Sequence, residues 1–419
     1  MSNEVEDDSI CKLNYCKVPK YQNHDVCILH LNNFEKNEDD FNKAINLYIQ
    51  NKGWDFIGIY FPGRFYTHEL PDEHIRFSGC QFNGEFRIPP KGIIKKRFIV
   101  DSCIFNYSVF LNQCTFNEFT LFRGNKYLAS CSFIDSVFNE KTVFYYNVFK
   151  FGIDIHKITF NKDKGLFFRN NDMGTSLLYE ADIQNINFIL CKWNKEFTLA
   201  EEVYDLAVDT KFGGIGLPKT YFNQFISHLT KGKKYGDFLI RTLYRNEYDS
   251  QKELRKKNSA IYITHTGWND SGMAEDTYRK LRLRYSQQGE PEIAGEFFYR
   301  EKVNQRRQKT TLKRIVDYFI KELLFGYGEK PFNVLTSSII IILIFSGIYK
   351  YSNLLKFKDN SAVFDFISAL YFSIVTFTTL GYGDYHPTSW LRIFSAIEAL
   401  FGAVLIALFV VTLTRKLIR

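Results

Sequence analysis

The chain has 419 residues, with 54 Lys and Arg against 46 Asp and Glu and a formal net charge of +8. That length calls for more than one domain, and the charge admits an acidic partner. Much of the basic excess flanks two apolar stretches near the C-terminus, however, so no nucleic acid is expected. There is no Walker loop, no GxGxxG following a strand and no HExxH pair among the 8 histidines, so the chain is not expected to be an enzyme.

The N-terminal stretch MSNEVEDDSI is acidic and polar, and no secretory leader is expected. Within residues 1–34 stand Cys11, Cys16, Cys27 and His30. Three thiols and an imidazole form a complete tetrahedral ligand set for structural Zn²⁺, with no position left open for catalysis. So short a segment cannot build its own core, and metal would staple it. The spacing is looser than a paired CxxC motif, and coincidence is the competing reading. A helix and lead-in are expected over 35–70.

Phenylalanine accounts for 42 of the 419 residues, and over 71–200 much of it recurs at a fixed offset. Phe77, Phe105 and Phe133 are 28 residues apart, as are Phe82, Phe110 and Phe138; Phe116 and Phe144, Leu121 and Phe149, and Cys103 and Cys131 keep the same offset. Such self-similarity indicates a solenoid, and the internal steps of five and six fit neither strand alternation nor a helical face. Small residues stand two before many of these phenylalanines: Cys80, Cys103, Ser108, Cys114, Cys131 and Ser136. Further on, Ile183, Phe188 and Trp193 step by five.

This pattern resembles the pentapeptide-repeat family in a degenerate form, over roughly 75–195. The resemblance implies a right-handed quadrilateral β-helix with the central apolar residue and the small residue packed inside. A generic β-rich domain is the alternative. Cys80, Cys103, Cys114, Cys131 and Cys191 then read as buried repeat residues, and a cytoplasmic location argues against disulfides. A protein or ligand of unknown identity would be the partner of such a domain.

Residues 201–310 read as a helical connector. The stretch 200–270 is ambiguous, and Glu275–Gln287 with Pro291–Arg307 forms a hairpin broken at Gly289-Glu290-Pro291. Over 311–330, Ile315, Phe319 and Leu323 share one side of a helix while Lys313, Asp317 and Lys321 lie elsewhere. Such a helix suits the membrane interface as a collar; docking on the cytoplasmic domain is the competing reading.

The region 331–419 holds two candidate spans, Val334–Tyr351 (extendable back to Pro331) and Leu391–Leu413. Between them Ala362–Phe377 is apolar but too short to span, which suits a re-entrant helix. It runs into Thr379-Leu380-Gly381-Tyr382-Gly383-Asp384, where the glycines give the backbone freedom to aim successive carbonyls into one narrow pore. A second GYG, at 326–328, lacks a preceding apolar helix. Basic residues Lys302, Arg306, Arg307, Lys309, Lys313, Arg314 and Lys321 precede the first span, and Arg415, Lys416 and Arg419 follow the second. The intervening loop has only Lys350, Lys356 and Lys358. A multi-pass plasma-membrane protein with both termini cytoplasmic is therefore expected. No arginine ladder suggests voltage sensing, and only a few basic residues follow the second span.

Over about the last ninety residues the chain resembles the two-transmembrane potassium-channel pore family, whose filter consensus is Thr-Val-Gly-Tyr-Gly. The resemblance implies that Thr379, Leu380, Gly381, Tyr382 and Gly383 coordinate K⁺ as permeant ion, that Asp384 braces the outer mouth, and that Tyr371 and Phe372 cuff the filter. It puts Gly402 at the hinge of the pore-lining helix. Val375 stands where some members carry a glutamate, so a carboxylate-based inactivation network behind the filter is not expected. Ile406, Val410 and Thr414 recur every four residues and are candidates to line the pore, with a lipid-facing position as the alternative. Glu398, a carboxylate inside a span, is a functional candidate by default, and an interfacial or intersubunit salt bridge is the competing reading. The junction Tyr278-Arg279-Lys280-Leu281, Phe298-Tyr299-Arg300-Glu301 and Gly326-Tyr327-Gly328-Glu329-Lys330-Pro331 looks like proteins that fuse pentapeptide repeats to this pore.

One chain supplies one filter strand and a closed ring needs four, so a homotetramer in membrane lipid is expected. The expected function is K⁺-selective transport regulated by the N-terminal repeat domain. The alternatives are a membrane-tethered repeat scaffold and a non-selective cation channel.

Overall fold

A computed structural model of the chain describes residues 10–13, 16, 18–32, 36–174, 176–194, 199, 211–212, 217–218, 271–352, 355–357 and 365–418. Most of the ambiguous stretch 200–270, the first residues of the expected re-entrant helix, Lys358 and Arg419 lie outside them. Two units form: residues 1–210 with 218–284, and residues 211–217 with 285–419.

The first unit opens with helix α1 (Glu38–Lys52). The Asn37 side chain accepts from the Asp40 amide, three acids occupy the first turn, and Gly53 ends the helix at φ +66°. Phe41, Ile45 and Tyr48 share the buried face. Phe41 meets Phe61 edge-on at 5.7 Å, and Tyr48 stacks on Phe56 at 6.1 Å.

From Asp55 the chain winds into a solenoid with four faces, each a parallel sheet, of seven, five, five and four strands. The seven-stranded face comprises Asp55–Ile57, Ile75–Ser78, Phe98–Asp101, Thr120–Arg123, Thr142–Tyr145, Leu166–Arg169 and Ile186–Ile189. The residue after each of these strands (Gly58, Gly79, Ser102, Gly124, Tyr146, Asn170 and Leu190) has positive φ, which turns the chain at the same corner of every coil. Four of the seven are not glycine, so the corner is imposed on them by the coil.

Parallel strands lie about 4.7–4.9 Å apart, and an aromatic ring repeated once per coil must therefore stack at that distance. Phe61, Phe82, Phe105, Tyr127 and Phe149 do so, with centroids at 4.5, 4.7, 5.0 and 4.8 Å. A second column runs Phe122, Phe144 and Phe168 at 4.6 and 4.5 Å. At one corner Asn125, Asn147 and Asn171, all fully buried, form a ladder. The Asn147 Oδ1 accepts from the Asn125 amide at 3.1 Å, and its Nδ2 donates to the Phe122 carbonyl at 2.8 Å. The five repeat cysteines are buried free thiols.

The coil period differs from the expected one. Phe98, Thr120 and Thr142 are register partners, 22 residues apart rather than 28. Phe77, Phe105 and Phe133 are all inward but belong to three different faces. The 28-residue step is one coil plus one face, which also connects inward positions. Two residues from the other sets with that offset slip: Phe110 and Leu121 are half-buried, and Val109 and Phe122 point in instead. Helix α2 (Ser271–Gln287) meets the last described strand of the long face, where Arg284 Nε donates to the Ile186 carbonyl at 2.7 Å.

In the second unit, α3 (Pro291–Arg307) starts with proline in its first turn, as the sequence pattern predicts. The collar is α4 (Thr311–Asp317), continuing as a π-helical segment over Tyr318–Leu324. Leu312, Val316, Phe319, Ile320 and Leu323 leave an exposed apolar strip on it, while Ile315 is half-buried. Fully buried Arg306 pairs with Glu322 at 2.8 Å and lies over the Tyr318 ring. Glycines 326 and 328 flank Tyr327, all three with positive φ, and this turn delivers the chain into α5 (Pro331–Ser352). A short helix, α6 (Phe366–Phe377), and the long α7 (Leu391–Ile418) follow, packed against α5 and each other. By length and composition α5 and α7 can cross a membrane.

Candidate functional sites: the pore segment and the cysteine–histidine cluster

Asp365 caps α6, its carboxylate accepting from the Ser368 amide at 2.8 Å and hydroxyl at 2.9 Å. At the other end the Thr378, Thr379 and Leu380 amides fold back onto the carbonyls of Ile374, Thr376 and Val375. Beyond them Thr379, Gly381 and Gly383 take φ of +57°, +61° and +76°. Every second residue is thus left-handed, and Thr379 adopts that conformation against its side-chain preference. Leu380 and Tyr382 are 58% and 67% exposed in the single chain. Asp384 Oδ1 accepts from the Tyr385 amide at 3.0 Å. Residues 385–387 pair antiparallel with 355–357, which ties the segment after the filter motif to the end of α5.

Phe372 is buried edge-on against Tyr349 at 4.9 Å, whereas Tyr371 is partly exposed and faces Tyr385 at 6.1 Å. The two aromatics therefore do different things: one anchors α6 to α5, the other reaches toward the strand over 385–387. Ile406, Val410 and Thr414 form an exposed stripe on α7. Gly402 lies in an unbroken helix, and a Cβ there would stand 1.9 Å from the Phe377 carbonyl oxygen. It serves a close approach of two helices in this conformation. An ideal Cβ on Gly328 lies 3.4 Å from an Arg415 guanidinium nitrogen, so the start of α5 and the end of α7 are on one side.

In the N-terminal cluster Cys11, Cys16, Cys27 and His30 are all buried, with their ligand atoms within 4.8 Å of one another. Cys27 Sγ is 3.1 Å and Cys11 Sγ 3.8 Å from His30 Nδ1, and Cys16 and Cys27 sulfurs are 3.6 Å apart. Ligands about 2.0–2.3 Å from a tetrahedral Zn²⁺ lie roughly 3.3–3.8 Å from each other, so the donor set is compatible with the ion after small side-chain adjustments. The other imidazole nitrogen donates to the Ile57 carbonyl at 2.9 Å, which presents Nδ1 to the thiols and anchors the cluster to the first coil. In the metal-free cluster the Cys16 hydrogen bond and burial push the Cys27 thiol up to about 12, while Cys16 is lowered by the same contact. Binding a metal would displace that proton.

Lys36 was no sequence candidate, yet it is buried and donates to the carbonyls of Ile28 and Leu31 at 2.6 and 3.2 Å. Burial lowers it to about 7. Nothing in its local pattern marks it, because its hydrogen-bond acceptors are backbone carbonyls.

Residues 337–419 match a family model described as "Ion channel". The apolar helices, the short helix between them and this match make the C-terminal segment an ion-channel domain of the two-span type, in a lipid environment. No curated protein and no solved structure matches the chain.

Proposed function

We propose that the chain is a K⁺-selective channel subunit that works as a homotetramer. The observation that carries this is the left-handed backbone at Thr379, Gly381 and Gly383, directly after a capped helix too short to cross a bilayer. Alternating hand over a short segment is what turns successive carbonyls toward one side. Four such strands would replace the hydration shell of K⁺, and adjacent sites would let one ion displace the next. The exposed Leu380 and Tyr382 side chains are apolar surface that neighbouring subunits would cover.

Ile406, Val410 and Thr414 would line the inner pore, and gating would move α7 about Gly402, away from the Phe377 carbonyl. The exposed collar strip would lie in the lipid interface. The shared side of the α5 start and α7 end, both basic, is assigned to the cytoplasm of a cell-membrane protein. In the N-terminal unit the Cys11, Cys16, Cys27 and His30 set would hold a structural Zn²⁺. The solenoid would regulate the pore, and an unchanged open probability after deletion of residues 1–300 would exclude that role.

The deciding experiment is the reversal potential of purified protein in planar bilayers with K⁺ opposite Na⁺. A reversal near the K⁺ equilibrium potential is expected. Equal permeability would leave a non-selective pore. Silence both in the full chain and after removal of 1–300 would leave a tethered scaffold.

A further inference from the structure

Glu398 lies inside α7, and in the single chain it is completely buried. No salt bridge among the described residues involves it. Its Oε2 accepts from the Tyr349 hydroxyl on α5 and its Oε1 from the Ser373 hydroxyl on α6, each at 2.5 Å. Ser373 Oγ also stands 3.0 Å from the Ile342 carbonyl of α5. Ser373 and Tyr349 are themselves fully buried, and Leu355, Ala369, Phe372 and Leu391 form the apolar cluster around Tyr349.

A carboxylate in such surroundings is costly unless both oxygens are satisfied. Here both are satisfied, by two different helices. Glu398 and Gly402 are one turn apart on α7, and they meet Ser373 and Phe377, one turn apart on α6. The first contact fixes the rotation of α6 and the second fixes its distance. Phe377 precedes the Thr379 strand by a single residue, so rotation of α6 displaces the first carbonyls of the filter motif.

We infer that Glu398 is a positioning residue for ion selection: it hydrogen-bonds the re-entrant helix to both spans and thereby sets the filter geometry. This rests on the K⁺-channel reading above. The position differs from Val375, where the resemblance leads one to look for a carboxylate.

The test uses the full chain with Glu398→Ala, Glu398→Gln, Ser373→Ala and Tyr349→Phe. Two quantities are read: the K⁺/Na⁺ permeability ratio in bilayers, and the difference in melting temperature between K⁺ and Na⁺ buffers. Loss of charge-assisted hydrogen bonds should lower the ratio about tenfold in Glu398→Ala. Glu398→Gln, which keeps one accepting oxygen, should fall less. Adding Ser373→Ala to Glu398→Ala should cost little more, because both remove the same contact. The K⁺-specific melting shift should shrink in the same order. An unchanged ratio and an unchanged K⁺-specific shift, even with a lower melting temperature in Na⁺, would overturn the inference by showing packing alone. If Glu398→Ala does not assemble, Glu398→Gln and Ser373→Ala decide. A wild-type protein with no K⁺ preference in either readout would sink the K⁺-selective reading itself, a result recognisable before any variant is compared.

Discussion

Gly402→Ala separates two roles for one glycine. The added Cβ would lie 1.9 Å from the Phe377 carbonyl oxygen, 2.7 Å from its carbonyl carbon and 3.0 Å from its Cα. All three are backbone atoms, so no rotamer change relieves the clash, and α6 and α7 must part by about 1.5 Å to reach ordinary contact. Overpacking of this kind costs about 1–3 kcal/mol, and backbone against backbone belongs at the upper end. Against that, alanine gains about 1 kcal/mol over glycine in a helix interior. The net expectation is destabilisation by about 2 kcal/mol, or roughly thirtyfold in the folding equilibrium. A glycine needed only for bending would give the opposite sign: a stiffer, more stable α7 with the filter untouched. Thermal melting of the detergent-solubilised protein in K⁺, combined with the bilayer permeability ratio, distinguishes them. A raised melting temperature with unaltered selectivity would refute the contact argument.

Purified chain should contain one zinc per polypeptide by elemental analysis, and Cys27→Ser should lose it together with several kcal/mol of stability in the N-terminal unit; full zinc content in that variant would exclude the four-ligand site. Asn147→Leu leaves the Phe122 carbonyl and the Asn125 amide without their side-chain partner, and urea unfolding should show a loss of about 2–4 kcal/mol. Asp101, bound through both oxygens to Arg123 at 2.9 and 2.6 Å, has its carboxyl held below the usual 3.8. Its contribution is present above that pH and vanishes as pH falls through the lowered value. With Arg123 half-exposed, Arg123→Ala should cost under about 1 kcal/mol at pH 7, and the two proteins should converge in acid unfolding below pH 4.

The pore segment was the most legible part of the chain because its signals are local. Two long apolar runs, a shorter one and a contiguous motif need no knowledge of distant contacts. The cysteine–histidine set was legible for a similar reason, since its four ligands fall within one short segment. The solenoid was legible as a class but not in register. Inward residues recur at every face, so a coil-plus-face step looks as periodic as a coil, and only the backbone pairing of Phe98 with Thr120 separates them. The Tyr349, Ser373 and Glu398 contact could not be read from the chain. Its members sit 25 and 49 positions apart, and only the intramembrane carboxylate stood out. The left-handed Thr379 was equally hidden, because threonine gives no propensity signal for that conformation.

Parallel sheets that grow one rung at a time have no intrinsic length limit. Each outermost rung presents unpaired amides and carbonyls on which another molecule could continue the ladder. At the N-terminal rung the Tyr60 amide is taken by the Leu29 carbonyl, and the Ile57 carbonyl by His30. On the long face at the other end, Arg284 occupies the Ile186 carbonyl. The cysteine–histidine segment and α2 thus occupy hydrogen-bonding positions at the first and last described rungs. A second solenoid stacking end to end on this one would first have to displace those groups.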